Sequence, residues 1–387
     1  MSAVAIKGWC PGALRPMMSG DGLVVRVRPY GGRLDARQAS GVADLAERYG
    51  NGLIDVTSRA NLQIRGVTER DHLPLLDGLA QLGLLDGGAE SESRRNILVT
   101  PFWDAGDDTR ILAAELEQAL CASGLDLPTK FGFAIDDGEE RVLAEASADV
   151  RIERDVSGGH TVRADGARFG RSVVRGEAVS LALALAAWFI ASRGANGGRG
   201  RMAAHIQAGA EVPEALHGNA ELAPAKIGQR PGLCPRGAMI GIAFGQLPHT
   251  ALRQLAACGQ ALRITPWRMI LVEGLCEMPD GAELITDPED PALRVIACSG
   301  APRCREAHAD TRALAAMLTP KIAPGAKVHV SGCAKGCAHA GPAAVTLVAT
   351  RDGFDLIRNG ATCDAPSLRG LSQTKIVEHL SVLAGEA

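Results

Sequence analysis

One stretch of the sequence occurs twice, and this repeat limits the possible folds more than any other feature does. Residues 54–67 align without a gap with residues 262–275, and the apolar positions, a threonine and a glycine coincide. A helix-like segment precedes each copy, at 32–49 and at 246–258. Self-similarity in one register predicts that a β-α-β-β unit is present in two copies.

Strand-like and helix-like patterns alternate along the rest of the chain. A strand at 23–29 comes first, and the elements between the copies are predicted as a strand at 96–99, a helix at 110–123, a strand at 131–135, a hairpin at 150–162 and a helix at 177–193. After the second copy they are a strand at 293–297, a helix at 307–318 and strands at 327–330 and 345–349. Two α/β halves, each introduced by one repeat unit, predict a pseudo-twofold body with a cleft between the halves.

The composition is that of a globular protein without a strongly charged surface. Of the 387 residues 22% are charged, and the formal net charge of −3 argues against a nucleic-acid-binding protein. The most apolar stretch, at 178–191, is shorter than the about 20 residues that span a bilayer, so we interpret it as a buried helix. The N-terminus lacks the apolar core of a signal peptide, which favours a reducing cytoplasm.

Four cysteines near the end of the sequence form two pairs, and each pair follows a strand-like run. Five residues separate Cys298 from Cys304, and three separate Cys333 from Cys337. Both gaps exceed the Cys-x2-Cys knuckles that are usual in structural zinc sites, and iron–sulfur clusters accept longer loops. The pattern favours a [4Fe-4S] cluster, with zinc or unrelated buried thiols as alternatives. The remaining cysteines are predicted not to take part: Cys10, Cys121, Cys234, Cys258, Cys276 and Cys363.

The cysteine set, with its Ser-Gly-Cys-x3-Cys loop, resembles that of the sirohaem-dependent sulfite and nitrite reductase family. The order of predicted elements is similar to that family's fold over nearly the whole chain. The resemblance implies an α+β (mixed α/β) fold in which two ferredoxin-like half-units and two α/β domains surround a tetrapyrrole cleft, with Cys337 facing the tetrapyrrole. It divides the chain into a first ferredoxin-like half-unit (1–88), a first α/β domain (89–225), a second ferredoxin-like half-unit (226–290) and an iron–sulfur α/β domain (291–387).

Basic and polar residues match the segments with which this family binds the carboxylates of its macrocycle. The resemblance assigns this role to Arg26, Arg28, Thr57, Arg59, Gln63, Arg95 and Lys130. Arginine suits the task because its planar guanidinium binds a carboxylate through two parallel hydrogen bonds. We therefore expect these side chains to line one cleft, with basic charges that are uncompensated before a polyanionic ligand binds.

Several positions depart from the reductases. Asp55 replaces a usual arginine, Ala60 replaces a glutamine, and the last cysteine loop lacks the usual proline and asparagine. Gly132 replaces a lysine of the pocket that holds sulfite or nitrite, which argues against an inorganic oxyanion as substrate. The stretches at 9–17 and 20–23 instead resemble the branch of the superfamily that makes precorrin-3B in aerobic cobalamin biosynthesis.

Membership of that branch implies an O2-dependent monooxygenase that converts precorrin-3A to precorrin-3B by hydroxylation at C20 with formation of a γ-lactone. It also implies a [4Fe-4S] cluster and a mononuclear non-haem iron. No Gly-x-Gly-x-x-Gly fingerprint follows a strand, so NAD(P)H-derived electrons would arrive through a separate donor protein. The alternatives are a sirohaem-dependent assimilatory nitrite or sulfite reductase and a non-catalytic cluster protein that only carries electrons.

The sequence assigns neither catalytic residues nor ligands of a mononuclear iron. It contains no spacing typical of a 2-His-1-carboxylate triad. The candidate histidines are His205, His249, His308 and His339. We interpret each of them as a surface or core histidine, and substrate nitrogens are a further source of ligands.

Overall fold

The computed structural model describes residues 11–384, with the backbone alone for residue 379 and residues 381–384. Trp9 and Cys10, which enter the sequence argument, lie outside the described residues. Within the described part, the chain forms four five-stranded sheets and nine α-helices. The expected mixed α/β class is therefore confirmed.

The first sheet is antiparallel and belongs mainly to the first repeat unit. In spatial order its strands are β1 (Met17–Ser19), β2 (Gly22–Val27), β5 (Leu62–Val67), β4 (Leu53–Val56) and β13 (Gln246–Pro248). Helices α1 (Ala36–Tyr49) and α2 (Glu69–Gln81) bury their apolar faces in the same core. Helix α1 begins after Asp35 because the side chain of this residue accepts a hydrogen bond from the backbone N–H of Gln38.

The second sheet is the counterpart built by the second repeat unit. In spatial order its strands are β11 (Gly232–Cys234), β12 (Gly237–Gly241), β15 (Met269–Glu273), β14 (Leu262–Ile264) and β3 (Arg33–Leu34). Helix α7 (His249–Ala257) packs against α1, and the two sheets share one apolar core.

The two units exchange one edge strand each. Strand β13 of the second unit pairs with β4, and β3 of the first unit pairs with β14. The segment 246–258, predicted to be helix-like throughout, therefore begins with a strand. Pro248 ends this strand because it has no backbone N–H for the ladder, and α7 starts at the next residue.

The two hairpins of the repeat have the same pattern of paired residues. Strands β4 and β5 pair in the register that β14 and β15 also adopt at the aligned positions. The hydroxyls of Thr57 and Thr265 accept backbone hydrogen bonds in the two turns. Ala60 and Arg268, which are aligned, both have positive φ, 51° and 58°. The internal duplication is confirmed.

The remaining two sheets have the same topology as each other. The third contains β6 (Ile97–Val99), β7 (Phe133–Asp136), β8 (Val150–Arg154), β9 (His160–Ala164) and β10 (Arg171–Val173) in this order. The fourth contains β16 (Val295–Ala297), β17 (Val328–Ser331), β18 (Ala343–Thr350), β19 (Gly353–Gly360) and β20 (Leu368–Leu371). In each, the first three strands are parallel and the last two pairings are antiparallel.

Helices accompany both of these sheets. In the first half they are α3 (Ala89–Arg94), α4 (Asp108–Ala122), α5 (Arg175–Ala191) and α6 (Met202–Gln207), and in the second α8 (Thr311–Leu318) and α9 (Gln373–Ala384). The helix predicted from 307 begins only at Thr311, because Asp310 caps it and the preceding residues form a loop. Helix α5 buries one face in the core, and no helix in the range 11–384 has the length and apolarity to cross a bilayer.

Candidate functional site

The cysteine loops extend from two neighbouring parallel strands. Cys298 directly follows β16, and Cys333 comes two residues after the end of β17. Because the carboxyl ends of parallel strands meet at one edge, the loops are brought together. The backbone N–H of Gly332 donates to Sγ of Cys298 at 3.2 Å, and the hydroxyl of Thr311 donates to the Cys298 carbonyl oxygen at 2.7 Å. The first loop is thus tied to the second loop and to helix α8.

Two glycines in these loops occupy positions where no side chain fits. Gly300 has φ 65°, and a Cβ atom there would lie 2.5 Å from Oγ1 of Thr311. A Cβ atom at Gly332 would lie 2.6 Å from Cβ of Ala307. The loops therefore fold closely around the sulfurs, as the small residues in the sequence predict.

The thiols share one electrostatic environment. Burial raises the pKa of the Cys333 and Cys337 thiols, and the neighbouring cysteines Cys298 and Cys304 raise both further. Thiols that oppose one another's ionisation become thiolates when a metal centre supplies the compensating positive charge. The site has the chemistry of a metal-binding cysteine set.

No three of the four sulfurs of Cys298, Cys304, Cys333 and Cys337 lie within 4.8 Å of one another. Among the described residues, one group of three candidate ligand atoms lies within 4.8 Å of one another, namely Asp108, Asp137 and His160, and it includes no cysteine. Zn–S bonds of about 2.3 Å would place the sulfurs about 3.8 Å apart. A wider set suits the larger inorganic core of an iron–sulfur cluster.

Two partly buried arginines, Arg268 and Arg312, lie near the cysteine loops. Arg268, in the turn between β14 and β15, donates to the carbonyl oxygen of Ala338 at 2.8 Å. Burial lowers the pKa of Arg268 to about 10, and the adjacent Arg312 lowers it as well. Nε and one terminal nitrogen of Arg312 are buried without a hydrogen-bond partner in the described part of the chain. Unsatisfied buried donors beside thiols fit an anionic group such as a thiolate-ligated cluster.

A row of polar side chains crosses the first sheet beside this positive charge. Arg26 lies opposite Gln63, Gln63 opposite Asp55, and Asp55 opposite Gln246. Directly opposed residues point to the same face of a sheet, so the row forms one polar strip. Two residues expected to bind carboxylates, Arg26 and Gln63, are thereby brought together.

Asp55 is the centre of an ion-pair network within that row. Its carboxylate accepts hydrogen bonds from Gln246 and Arg312, both at 2.9 Å, and lies 3.6 Å from Arg65. Its side chain is 8% exposed. The position that carries arginine in the reductases thus carries a buried carboxylate that links the first sheet to helix α8.

Arg59 and Lys130 meet at a second contact across the molecule. A terminal nitrogen of Arg59 donates to the backbone oxygen of Lys130 at 3.2 Å, with Oγ of Ser147 at 3.5 Å. The Lys130 side chain is exposed. Thr57 serves this arrangement indirectly, because its hydroxyl accepts the backbone N–H groups of Arg59 and Asn61 and holds the turn.

Arg28 and Arg95 are buried, and their guanidinium groups donate hydrogen bonds to other groups of the protein. Arg28 donates to the backbone oxygen of Glu92. Arg95 donates to Asp86 at 2.7 and 2.8 Å and to the carbonyl oxygen of Arg28 at 3.0 Å, and its guanidinium lies 3.9 Å from the ring centre of Tyr30. The expectation of an uncompensated charge is wrong for Arg95, because Asp86 is its ion-pair partner.

Gly132, just before β7, packs against Asn96, the residue just before β6. A Cβ atom there would lie 2.7 Å from Nδ2 of Asn96 and 3.1 Å from its backbone oxygen. We expect Gly132→Ala to lower the free energy of unfolding by about 1–3 kcal/mol, measured by urea denaturation. Gly87→Ala is the control, since nothing lies within 4 Å of its Cβ position. Equal stabilities of the two variants would contradict the close packing at Gly132.

The histidines form no triad beside the cysteines within the described residues. His339 has a neighbour that the sequence argument missed: its ring lies 5.7 Å from that of His329 on β17. Neither nitrogen of His329, which is fully buried, has a hydrogen-bond partner in the described part of the chain. Burial lowers its pKa to about 4, with contributions from His339 and Arg268. His205 bonds Ser192 at 2.8 Å, and His249 lies 3.4 Å from Glu47.

The close group of oxygen and nitrogen ligands found among residues 11–384, Asp108, Asp137 and His160, is an ion-pair network. Nδ1 of His160 contacts Asp137 at 2.9 Å, while Nε2 contacts Asp108 at 3.2 Å. Arg154 also contacts Asp137 at 3.2 Å, and Arg175 lies 3.6 Å from Asp108. Because opposite ring nitrogens contact the two carboxylates and arginines neutralise both, the group does not fit a mononuclear iron.

The first half has no thiols at the equivalent place. There the loop after β6 packs on the second sheet, where Arg263 donates to the backbone oxygens of Pro101 and Trp103 at 2.6 and 2.7 Å. The guanidinium of Arg263 lies 3.5 Å from the ring centre of Trp103. The two halves, although related by pseudo-twofold symmetry, therefore contain one cysteine site. At the equivalent place in the first half, the loop packs directly on Arg263.

Comparisons with known proteins agree with this architecture. Residues 15–82 match the family model described as "Nitrite/Sulfite reductase ferredoxin-like half domain". The solved structure of the NirA protein of Mycobacterium tuberculosis is 17% identical with a TM-score of 0.68, and the alignment covers 92% of this chain and 79% of that one. The fold and the matched half domain place the chain in the nitrite and sulfite reductase superfamily.

Proteins related in sequence show to which branch of this superfamily the chain belongs. A ferredoxin–nitrite reductase of Synechococcus elongatus is 34% identical over 140 residues, which is 33% of this chain and 27% of that protein. A precorrin-3B synthase of a Sinorhizobium species is 32% identical over 400 residues, 93% of this chain and 84% of that protein. Within the superfamily, the chain belongs to the precorrin-3B synthase family, which confirms the branch predicted from the sequence.

Proposed function

We propose that the protein is an O2-dependent monooxygenase that converts precorrin-3A to precorrin-3B in aerobic cobalamin biosynthesis, with hydroxylation at C20 and formation of a γ-lactone. The observation that carries this proposal is the extent of the similarity. It spans 93% of the chain for the precorrin-3B synthase but 33% for the nitrite reductase. An oxidoreductase that acts on a tetrapyrrole is the coarser statement of the same activity.

Cys298, Cys304, Cys333 and Cys337 would hold a [4Fe-4S] cluster, with Cys337 towards the tetrapyrrole. When bound, the cluster supplies single electrons, which ground-state O2 needs before it reacts with closed-shell carbon. The chain's own contribution is to hold the sulfurs and to compensate their charge. The N–H of Gly332 on Sγ of Cys298 and the arginines Arg268 and Arg312 support this role.

The tetrapyrrole carboxylates would be bound from two sides. Arg26 and Gln63 would contribute from the polar row, and Arg28 directly follows the end of the strand that carries Arg26. Arg59 and Lys130 contribute from the contact between the first repeat unit and the third sheet. Guanidinium groups orient a carboxylate through paired hydrogen bonds, so such a set would fix the macrocycle relative to the cysteine edge. Arg95 would act only as a support for Arg28.

A sirohaem-dependent nitrite or sulfite reductase is the alternative, favoured by the nitrite reductase similarity. Two positions oppose it. Asp55 places a carboxylate where the reductases have arginine, and Gly132 leaves no room for a side chain. A site with fewer cations binds a small inorganic anion more weakly.

Electrons from NAD(P)H would come through a separate donor protein, and the protein would work in the cytoplasm. Within residues 11–384, no group of protein ligands fits the mononuclear iron that the family implies. The chain would divide into four domains, at 1–88, 89–225, 226–290 and 291–387.

The proposal is tested with purified protein, precorrin-3A, a chemical or protein reductant and 18O2. We expect a product that contains one labelled oxygen atom, and none in the anaerobic control, because the oxygen at C20 comes from O2. We also expect the purified protein to lack tightly bound sirohaem, since the macrocycle is a substrate that must leave. One equivalent of sirohaem per chain together with nitrite or sulfite reduction would establish the alternative.

A further inference from the structure

Two arginines that no resemblance singles out lie behind the cysteine loops. Arg312 directly follows Thr311, whose hydroxyl lies 2.7 Å from the carbonyl oxygen and 3.7 Å from Sγ of Cys298. Arg268 donates to the carbonyl oxygen of Ala338, the residue after Cys337. One arginine thus stands beside each cysteine pair.

The positive charges of Arg268 and Arg312 exceed the negative charge of Asp55. Asp55 is the carboxylate that the two arginines share: Arg312 bonds it at 2.9 Å, and Arg268 interacts with it electrostatically. Arg65 lies 3.6 Å from Asp55 but is paired with Asp21 at 2.7 Å, so it neither adds to the excess charge nor removes it. Two buried nitrogens of Arg312 have no hydrogen-bond partner in the described part of the chain. The group therefore keeps an excess of positive charge next to Cys298.

The backbone does not explain why an arginine stands at position 268. Ala60 occupies the aligned turn of the first repeat unit with nearly the same φ, 51° against 58°. The turn thus forms equally well with a small side chain. Most residues other than glycine avoid positive φ, so a long, charged side chain at this position indicates that the charge has a role.

We propose that the positive charges of Arg268 and Arg312 raise the reduction potential of the cluster, and that the negative charge of Asp55 lowers it. The inference rests on the proposed cluster. One-electron reduction adds a negative charge to the cluster, the electron coming from the external donor. A nearby fixed positive charge stabilises the reduced form, and a nearby negative charge destabilises it. The three residues together would set how easily the cluster accepts an electron.

The test is a redox titration of the reconstituted full-length protein with dithionite and mediators, followed by electron paramagnetic resonance. At the wild-type midpoint potential, we expect Arg312→Gln to lower the ratio of reduced to oxidised cluster at least about fivefold and Asp55→Asn to raise it, because the removed charges have opposite signs. Arg312→Lys, which keeps the charge, should remain close to wild type. Arg253→Gln is the surface control, since Arg253 pairs with the exposed Asp44 and Glu47.

The outcomes separate this inference from the proposed function. Unchanged midpoints in both Arg312→Gln and Asp55→Asn at full cluster content, or shifts of the same sign, would overturn the tuning role and leave the cluster assignment intact. A wild-type protein that binds no cluster would overturn both. If Arg312→Gln fails to fold, Arg268→Gln provides the charge removal, with the same expected direction.

Discussion

Cys337→Ala is expected to lose most of its cluster iron and sulfide after anaerobic reconstitution. Cys337 is one of four thiols that interact electrostatically, and its loop has no further cysteine to replace it. A cluster held by three thiolates exposes an iron to solvent and is lost more easily. The measurement is iron and acid-labile sulfide per chain, together with the absorbance shoulder of the cluster.

Cys121→Ala is the matched control, because Cys121 is also an exposed free cysteine but lies on helix α4 in the first half of the chain. It should keep the wild-type content of iron and sulfide. Full retention of a four-iron cluster in Cys337→Ala, or equal loss in both variants, would contradict the assignment of the ligands.

Arg59→Ala is expected to weaken precorrin-3A binding at least tenfold while the cluster stays intact. Arg59 links the first repeat unit to the backbone of Lys130, where the proposed carboxylate sites meet. Loss of a guanidinium from a desolvated carboxylate costs roughly 2–5 kcal/mol of binding free energy. About 1.4 kcal/mol already corresponds to a factor of ten. The cysteines lie in loops that follow strands of the fourth sheet, so the cluster should not respond.

The measurement is a tetrapyrrole titration followed by absorbance, with wild type and variant at matched cluster content. Arg37→Ala is the control, because Arg37 is an exposed arginine on helix α1 of the same unit. It should bind like the wild type. Equal affinities for Arg59→Ala and Arg37→Ala would mean that Arg59 is an ordinary surface charge and that the cleft lies elsewhere.

Much of the fold was predictable because it depends on local patterns. The aligned hairpins at 54–67 and 262–275 appear with the same register, since alternation of apolar residues and the turn residues are properties of neighbouring positions. The exchange of β3 and β13 was not predictable. These strands are two and three residues long, and which sheet edge they pair with depends on how the two units pack.

For the cysteine site, too, one part could be predicted from the sequence and another part could not. The sequence by itself determined the ligand candidates, because strand ends, glycines and cysteine spacing are local and imply a metal centre wherever the loops meet. The partners of the charged residues were decided only by the tertiary structure. Arg95 pairs with Asp86 and not with a ligand, and Arg312 reaches Asp55 across 257 positions of the chain. Electrostatic interactions depend on distance in space, which the spacing of residues along the chain does not reveal.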